Sequence, residues 1–344
     1  MRFRSLALFL AVTATVSFPP ARAQELPIDD VVYGEETDPA TTRELDAVVV
    51  GGRQPGPGLW KVTRGNNVLW ILGVQSPLPR RMEWDARVVE QRIAESQQVL
   101  MTPSINFDAD VGFFRGLTLL PSLYKARENP EGKLLRDVVP ADQYLRWQPL
   151  KARWIGRDND VEEWRPVFAA LELYREAIDK SGLTLEPIVS DRVRKAARRA
   201  GVPVLTPSLR IEIKEPKQAL KDFRAESVDD LECFRRTLDR IERDLANMRT
   251  RANAWATGDM VTLSELPSGS QFTVCSQAFS SSAVARRQGI TNLPQRIEAL
   301  WLAEVDKALA NNPSTFAVMP ISVLMQDNGA IDKLLARGYQ VEAP

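Results

Sequence analysis

The stretch from Leu59 to Val74, LWKVTRGNNVLWILGV, decides the fold class that this sequence predicts. Two runs of β-branched, aromatic and aliphatic residues flank Gly65-Asn66-Asn67, which is the composition of two strands joined by a tight turn. After the second run the chain meets Gly73 and a polar tip, and α/β proteins commonly present functional residues at such a strand end. The segment therefore predicts a β-hairpin whose second strand leads to a site.

Strand and helix signals alternate beyond the hairpin. Apolar residues recur at near-helical spacing over 84–97, and QQVLM at 97–101 then has the composition of a short buried strand. Strand, helix and strand in succession are typical of a layered α/β domain. We therefore expect an α/β fold with a central mixed β-sheet flanked by many helices.

The rest of the chain is expected to be mainly helical. Helical signals fill 108–200 and 216–265, and one helix is predicted to start at Pro166 and to stop at Gly182. Two later strands are expected, at Val202–Leu205 and Thr315–Met319.

The first 23 residues have the features of a secretory signal peptide. Arg2 and Arg4 precede an apolar run, Leu6 to Val16, that is too short to span a bilayer, and Ala21-Arg22-Ala23 has the small-x-small form of a cleavage site. We expect cleavage after Ala23 and a periplasmic or secreted protein. An uncleaved anchor is the alternative.

The expected mature chain has two parts. Residues 24–56 are acidic and rich in Pro and Gly, which is typical of a flexible linker. Residues 57–344 are expected to form the folded domain, and no transmembrane segment is predicted after signal cleavage.

The charge balance argues against a polyanionic partner. Signal cleavage removes three arginines and no acid from a chain with 45 basic and 45 acidic residues, so the mature protein has three excess negative charges. Such a surface has no field that would gather nucleic acid. The basic cluster over 192–199 follows Ser190, a candidate N-cap, and is interpreted as the solvated face of a helix, with a polyanion site as the alternative.

Two cysteines, Cys233 and Cys275, are present, and both belong to the exported part. In an oxidising compartment such a pair is more often a disulfide than a metal site. We therefore predict a Cys233–Cys275 disulfide. Two free thiols are the alternative.

The chain contains no histidine. This excludes Ser-His-Asp and Cys-His catalysis, imidazole metal ligands and any switch that rests on histidine titration. Carboxylate chemistry, a Ser-Lys pair or no chemistry at all remain.

Six stretches of the sequence point to a family. They are GLWKV (58–62), WILGVQSPLP (70–79), GKLLRDVVPADQYLRWQPLKARW (132–154), WRPVFAALELY (164–174), ANAWATGDMVTLSEL (252–266) and GAIDKLLARGYQVEAP (329–344). In this order and at this spacing they resemble the TraB/GumN family, which is related to the Tiki proteins. The resemblance covers nearly all of 57–344.

The resemblance implies an α/β fold with two Gly-x-x-His motifs and an acidic residue after the strand that follows the first motif. In the Tiki branch these groups support metal-dependent peptide hydrolysis, in which the ion lowers the pKa of a bound water. Here Ser76 stands at the histidine place of the first motif, which begins at Gly73, and Thr102 stands at the acid place. The second motif corresponds to Pro320–Val323, with Val323 at the histidine place. We therefore predict no metal site and no cofactor.

A nucleophilic role for Ser76 is the competing interpretation. The hydroxyl would need a base, such as Lys61 or a carboxylate, and the sequence places none nearby. Because Pro77 follows, a local hydrogen bond of the hydroxyl within a turn is the preferred interpretation. Gly258-Asp259 is likewise interpreted as a helix-end turn rather than a catalytic acid, and the tryptophans as core rather than a sugar platform.

Three functional hypotheses follow. The first is an exported pseudoenzyme that keeps the family cleft for binding a peptide, a protein or a cell-envelope component. The second is a hydrolase, peptidase-like, that uses chemistry without histidine. The third is a structural envelope protein stabilised by Cys233 and Cys275.

Overall fold

A computed structural model of the chain describes residues 56–109, 122, 124–226, 229–266, 275–276 and 279–344. The predicted signal peptide, 1–23, and all but the last residue of the predicted linker, 24–56, lie outside the described residues. No described helix is both long enough and apolar enough to cross a bilayer.

The centre of the fold is a six-stranded mixed sheet with the order β10-β1-β2-β9-β4-β7. Its strands are β1 (Leu59–Arg64), β2 (Asn67–Val74), β4 (Gln98–Leu100), β7 (Val204–Leu205), β9 (Ser314–Pro320) and β10 (Gln340–Glu342). Strands β2, β9, β4 and β7 run parallel, whereas β1 is antiparallel to both of its neighbours. The predicted α/β class with a mixed sheet is confirmed.

The predicted hairpin is present as β1 and β2. Arg64 pairs with Asn67, so Gly65-Asn66 forms a two-residue turn, and Gly65 has the positive φ of +57° that such turns require. The strand predicted at Thr315–Met319 is β9, which lies between β2 and β4 with these five residues buried. The first and last strong strand signals therefore meet in the middle of the sheet.

Two strands were missed by the sequence prediction. β5 (Ser104–Ala109) continues from β4 beyond Pro103, and β8 (Ser208–Ile213) continues from β7 beyond Pro207. These two strands pair in parallel with each other and form a separate two-stranded sheet. These strands overlap the stretches expected to be helical, 108–200 and 216–265, only at residues 108–109. The strand predicted at Val202–Leu205 is only Val204–Leu205.

The remaining short strands, β3 (Leu78–Pro79) and β6 (Leu183–Thr184), pair antiparallel with each other. The helices of the described residues are numbered in chain order. They are α1 (Arg87–Ala94), α2 (Leu135–Val138), α3 (Ala141–Trp154), α4 (Pro166–Lys180), α5 (Ile188–Ala200), α6 (Pro216–Ala225), α7 (Leu231–Arg243), α8 (Leu245–Thr257), α9 (Met260–Glu265), α10 (Ala283–Arg287), α11 (Leu293–Asn311), α12 (Ile321–Leu324) and α13 (Ala330–Ala336).

Helix α4 begins at Pro166 and ends before Gly182, as predicted. The long helical stretch expected over 216–265 is instead four helices, α6 to α9. One break lies at Gly258, which has a φ of +73°, and Asp259 then caps α9 by accepting a hydrogen bond from the Thr262 backbone N–H. The helix-end interpretation of Gly258-Asp259 is therefore confirmed.

The interpretation of Ser190 as an N-cap was wrong. Helix α5 starts at Ile188, directly after Pro187, which supplies no side-chain cap, so Ser190 lies inside the first turn of the helix. Its basic face contacts α1, where Glu90 forms ion pairs with Arg192 and Arg199.

The hydrophobic core has two clusters. One surrounds the central sheet and includes Trp60, Trp255 and Trp301. The other lies among helices α3, α4 and α7 and includes Trp147 and the predicted Cys233–Cys275 disulfide, which is present. Both cysteines are buried.

Candidate functional site

The positions that the sequence resemblance singles out lie at one edge of the central sheet. Strands β2, β9 and β4 are parallel neighbours, so their carboxyl ends meet at the same edge. Ser76 follows the end of β2, Thr102 follows the end of β4, and Pro320 ends β9. Val323 lies one helical turn later, in α12.

A cavity of about 720 Å³ opens at this edge. Thr102, Pro320 and Val323 line it together, so the fold brings three of the positions singled out by sequence into one place. Helix α11 and the strand β5 supply most of the remaining wall. Its apolar wall residues include Pro103, Ile105, Phe107, Ile297 and Met319.

Ser76 stands apart from this group. It is exposed and is not among the residues that line the cavity. Its backbone carbonyl accepts a hydrogen bond from the Gln75 side chain at 3.1 Å. The hydroxyl itself has no hydrogen bond within the described part of the chain, so its expected local hydrogen bond stays a prediction.

Lys61 is not placed to activate Ser76. It lies opposite Trp70 in the register of β1 and β2, four residues before the end of β2, which is roughly 13 Å of strand. Its ammonium group donates to Glu342 at 2.8 Å. The geometry therefore does not support a Ser-Lys pair.

The side chains at the metal-ligand positions do not fit a divalent ion. Thr102 is a neutral hydroxyl whose proton is already donated to the Val318 carbonyl at 3.1 Å, and Val323 and Pro320 offer no side-chain donor atom. Across the described residues, no group of three or more Asp, Glu or Cys side chains is placed to hold a metal.

Gly73 has a packing role that does not depend on a metal. A Cβ at this position would lie 2.9 Å from the Trp60 ring and 3.0 Å from Ile321. The Gly73 carbonyl also accepts a hydrogen bond from the Trp255 indole at 2.6 Å. Glycine is therefore required where β2 passes between these side chains.

The polar wall of the cavity contains an ion pair that the sequence prediction missed. Glu298, on α11, is buried and accepts a hydrogen bond from Lys333, on α13. One signal was available in the sequence: Glu298 precedes Trp301, Leu302 and Val305 at spacings of three, four and seven, which places an acid on the apolar face of a helix. The partner could not be inferred, because Lys333 lies on another helix.

A second cavity adjoins the first. It has a volume of about 480 Å³, and Ile105 and Phe107 of β5 line both cavities. Its wall is almost entirely apolar and includes Phe223, Phe279 and Ile290. Together the two cavities form a groove with an apolar arm and a polar end at Glu298 and Lys333.

A mixed sheet with a cavity beyond the carboxyl ends of its parallel strands is the arrangement in which α/β proteins bind ligands. The chain matches the TraB/PrgY/gumN family over residues 58–343, and it belongs to this family. No curated protein and no solved structure matches the chain.

Proposed function

We propose that this protein is an exported, catalytically inactive member of the TraB/GumN family that binds a peptide, a protein or another cell-envelope component in the cavity at the sheet edge. The observation that carries the proposal is that Thr102, Pro320 and Val323 line a cavity of about 720 Å³ without supplying metal ligands. The scaffold and the cleft are kept while the ligand set is replaced.

The groove has the chemistry of a binding site. Ligand sites in proteins are mostly apolar clefts of 300–1,000 Å³ with a few placed polar groups, and the cavity falls in that range. Phe107 is 58% exposed at the junction of the two cavities, where an apolar part of a ligand would cover it. The predicted signal peptide and the buried disulfide support an envelope location.

The first test compares hydrolysis with binding in the mature chain, residues 24–344. We expect no cleavage of a synthetic peptide library with or without added divalent ions, and a raised Tm with a subset of the peptides or of envelope lipids. Metal-dependent cleavage would overturn the proposal. N-terminal sequencing of the exported protein is expected to begin at Gln24, and an intact leader would contradict the export prediction.

A variant pair locates the binding. Val323→Trp fills the cavity and is expected to abolish the ligand-induced rise in Tm. Ser76→Trp adds the same side chain at an exposed motif position outside the cavity and is expected to retain it. Equal loss in both variants would place the ligand elsewhere.

A hydrolase that uses carboxylate chemistry is the second candidate. The observation in its favour is the buried Glu298 carboxylate, which lies beside Lys333 in the same cavity. This function predicts cleavage that persists in chelator and disappears in Glu298→Gln. The absence of cleavage under both conditions would leave only the binding function.

A further inference from the structure

The carboxylate of Glu298 is only half satisfied. Its Oε2 atom accepts from the Lys333 ammonium group, but Oε1 is buried and has no hydrogen-bond partner within the described part of the chain. The residue is 8% exposed and belongs to the wall of the cavity. Leaving a buried charged acceptor without a donor is costly, so such an atom marks a place where a donor is missing.

No side chain fills this gap within the described part of the chain, although the buried Trp301 indole N–H, one turn further along α11, also has no partner there. The described wall of the cavity includes three other side-chain donors, namely Thr102, which donates to the Val318 carbonyl, and the exposed Gln295 and Gln326, and none of them is bonded to Oε1. Among the described residues that line the cavity, Lys333 is the only cation, and it already binds the other oxygen. A donor for Oε1 would therefore come most directly from a molecule in the cavity.

We propose that the cavity binds a ligand with a protonated primary amine and an apolar body, an inference that rests on the proposed binding function. The Glu298 carboxylate turns toward the cavity so that the amine donates to Oε1, which is closed to solvent in the structure, and the apolar body lies along Ile105 and Phe107 into the second cavity. An anionic head would meet the unpaired carboxylate oxygen and be repelled by it. A neutral hydroxyl could donate, but it would not gain the attraction between opposite charges.

Lys333 acts as a competitor of the ligand amine. Its side chain is 40% exposed, so its ammonium group can turn toward water when a second cation reaches Glu298. Removing Lys333 and removing the carboxylate should therefore change amine binding in opposite directions. A merely structural ion pair would change stability in both variants without changing the preference for one head group.

The test uses three probes that share an eight-carbon chain, namely octylamine, octanol and octanoate, and the mature protein at pH 7. Isothermal titration is expected to show octylamine binding more tightly than octanol by roughly tenfold, the size of one charge-assisted hydrogen bond. Octanoate is expected to bind most weakly. The comparison in the unaltered protein needs no variant to fold.

Two variants complete the test. Glu298→Gln keeps the shape of the side chain. In this variant the roughly tenfold preference for octylamine over octanol is expected to disappear, so that the two probes bind with about equal affinity. Lys333→Met is expected to increase octylamine affinity while leaving octanol affinity nearly unchanged. Octylamine binding that is unaltered by Glu298→Gln would overturn the proposal.

The outcomes separate this inference from the proposed function. Equal binding of all three probes would mean that the groove binds apolar ligands but that Oε1 is satisfied within the protein. The donor could then be the buried Trp301 indole, which also lacks a partner among the described residues. Tightest binding of octanoate would make Lys333 the anchor instead. Either result overturns the inference and leaves the binding function standing, whereas peptide cleavage in the first test would remove the binding function itself.

Discussion

Gly73 remains glycine although the residue three positions later is not histidine. A Cβ at Gly73 would lie too close to Trp60 and Ile321 for any side chain to fit without a shift, and the Gly73 carbonyl accepts a hydrogen bond from the Trp255 indole. The packing of β2 therefore preserves this position even without a metal. Ser76, which is exposed, has no such packing constraint.

The packing role of Gly73 predicts a stability change. Gly73→Ala is expected to lower the free energy of unfolding by about 1–3 kcal/mol, because the added methyl group overpacks the core. Chemical denaturation measures the change. Ser76→Ala, at an exposed position of the same motif, serves as the control and is expected to change it by less than about 0.5 kcal/mol. Equal effects of the two variants would contradict the packing explanation.

Asp230 predicts a dependence of stability on pH. Burial raises its pKa from 3.8 to about 6, although the Val167 backbone N–H and the nearby Arg165 charge act in the opposite direction. A carboxyl group whose pKa is raised by folding binds its proton more tightly in the native state than in the unfolded state. Its stabilising contribution is therefore complete below pH 3.8 and is lost as the pH rises through about 6.

Replacing this carboxyl should flatten the pH profile. Asp230→Asn keeps an acceptor for the Val167 backbone N–H but cannot ionise. Between pH 4 and pH 6 the unfolding free energy of the variant should therefore fall less steeply than that of the unaltered protein. The two slopes should differ by up to about 1.4 kcal/mol per pH unit. Urea titrations at four pH values measure the slope. The exposed neighbour variant, Asp229→Asn, should reduce the slope only slightly, because the Asp229 charge is the smallest of the causes acting on the Asp230 pKa. An unchanged slope in Asp230→Asn would refute the assignment.

At the scale of elements, the disulfide fastens helix α7 to a buried position 42 residues later in the chain. Cys233 lies in the cluster formed with α3 and α4, beside Phe234 and Trp147. A bridge across such a loop restricts the unfolded chain, which stabilises the native state in the loop-entropy model.

Loss of this bridge is expected to cost about 4 kcal/mol of unfolding free energy. The double variant Cys233→Ala, Cys275→Ala and the reduced natural protein should both show the loss in denaturant titrations. Reductant should have no further effect on the double variant, which makes it the control. A reduced protein as stable as the oxidised one would contradict the prediction.

The elements that the sequence predicted are those with local signals. The hairpin follows from its turn at Gly65-Asn66, and helix α4 from Pro166 and Gly182. Strand β5 lacks such signals, because none of residues 104–108 is fully buried and its partner β8 lies about a hundred residues away, with Ser104 paired to Ser208. Pairing of this kind is decided by the whole fold.

The candidate site likewise contains some residues that the sequence could place and others that it could not. Thr102, Pro320 and Val323 could be placed from the sequence because the family resemblance fixes their order, and parallel strands then bring them to one edge. Glu298 and Lys333 could not be paired, because they are 35 residues apart on different helices and meet only through the packing of α11 and α13.

At the scale of the whole molecule, the order of strands ties folding to the end of the chain. Strand β9 lies between β2 and β4, although β2 and β4 precede it by more than two hundred residues. The central sheet therefore cannot assemble until residue 320 has been made. A chain that stays unfolded until it is nearly complete is consistent with the export proposed from the signal peptide.

This topology predicts that two C-terminal truncations will differ sharply. A chain that ends at residue 312 lacks β9, and because the sheet loses its central strand, it is expected to be unfolded. A chain that ends at residue 339 lacks only β10, an edge strand held by three residue pairs and by the exposed Lys61–Glu342 ion pair, and is expected to fold with about 1–2 kcal/mol less stability.

Circular dichroism and resistance to protease distinguish these two states. The chain that ends at residue 339 should give a cooperative thermal transition at a lowered Tm. The chain that ends at residue 312 should give no cooperative transition. The Lys61→Met variant of the full-length protein is the matched control for the ion pair alone and should change stability by less than about 1 kcal/mol. A cooperative transition in the chain that ends at residue 312 would show that the helices around Trp147 fold without the central sheet, and folding would then not wait for β9.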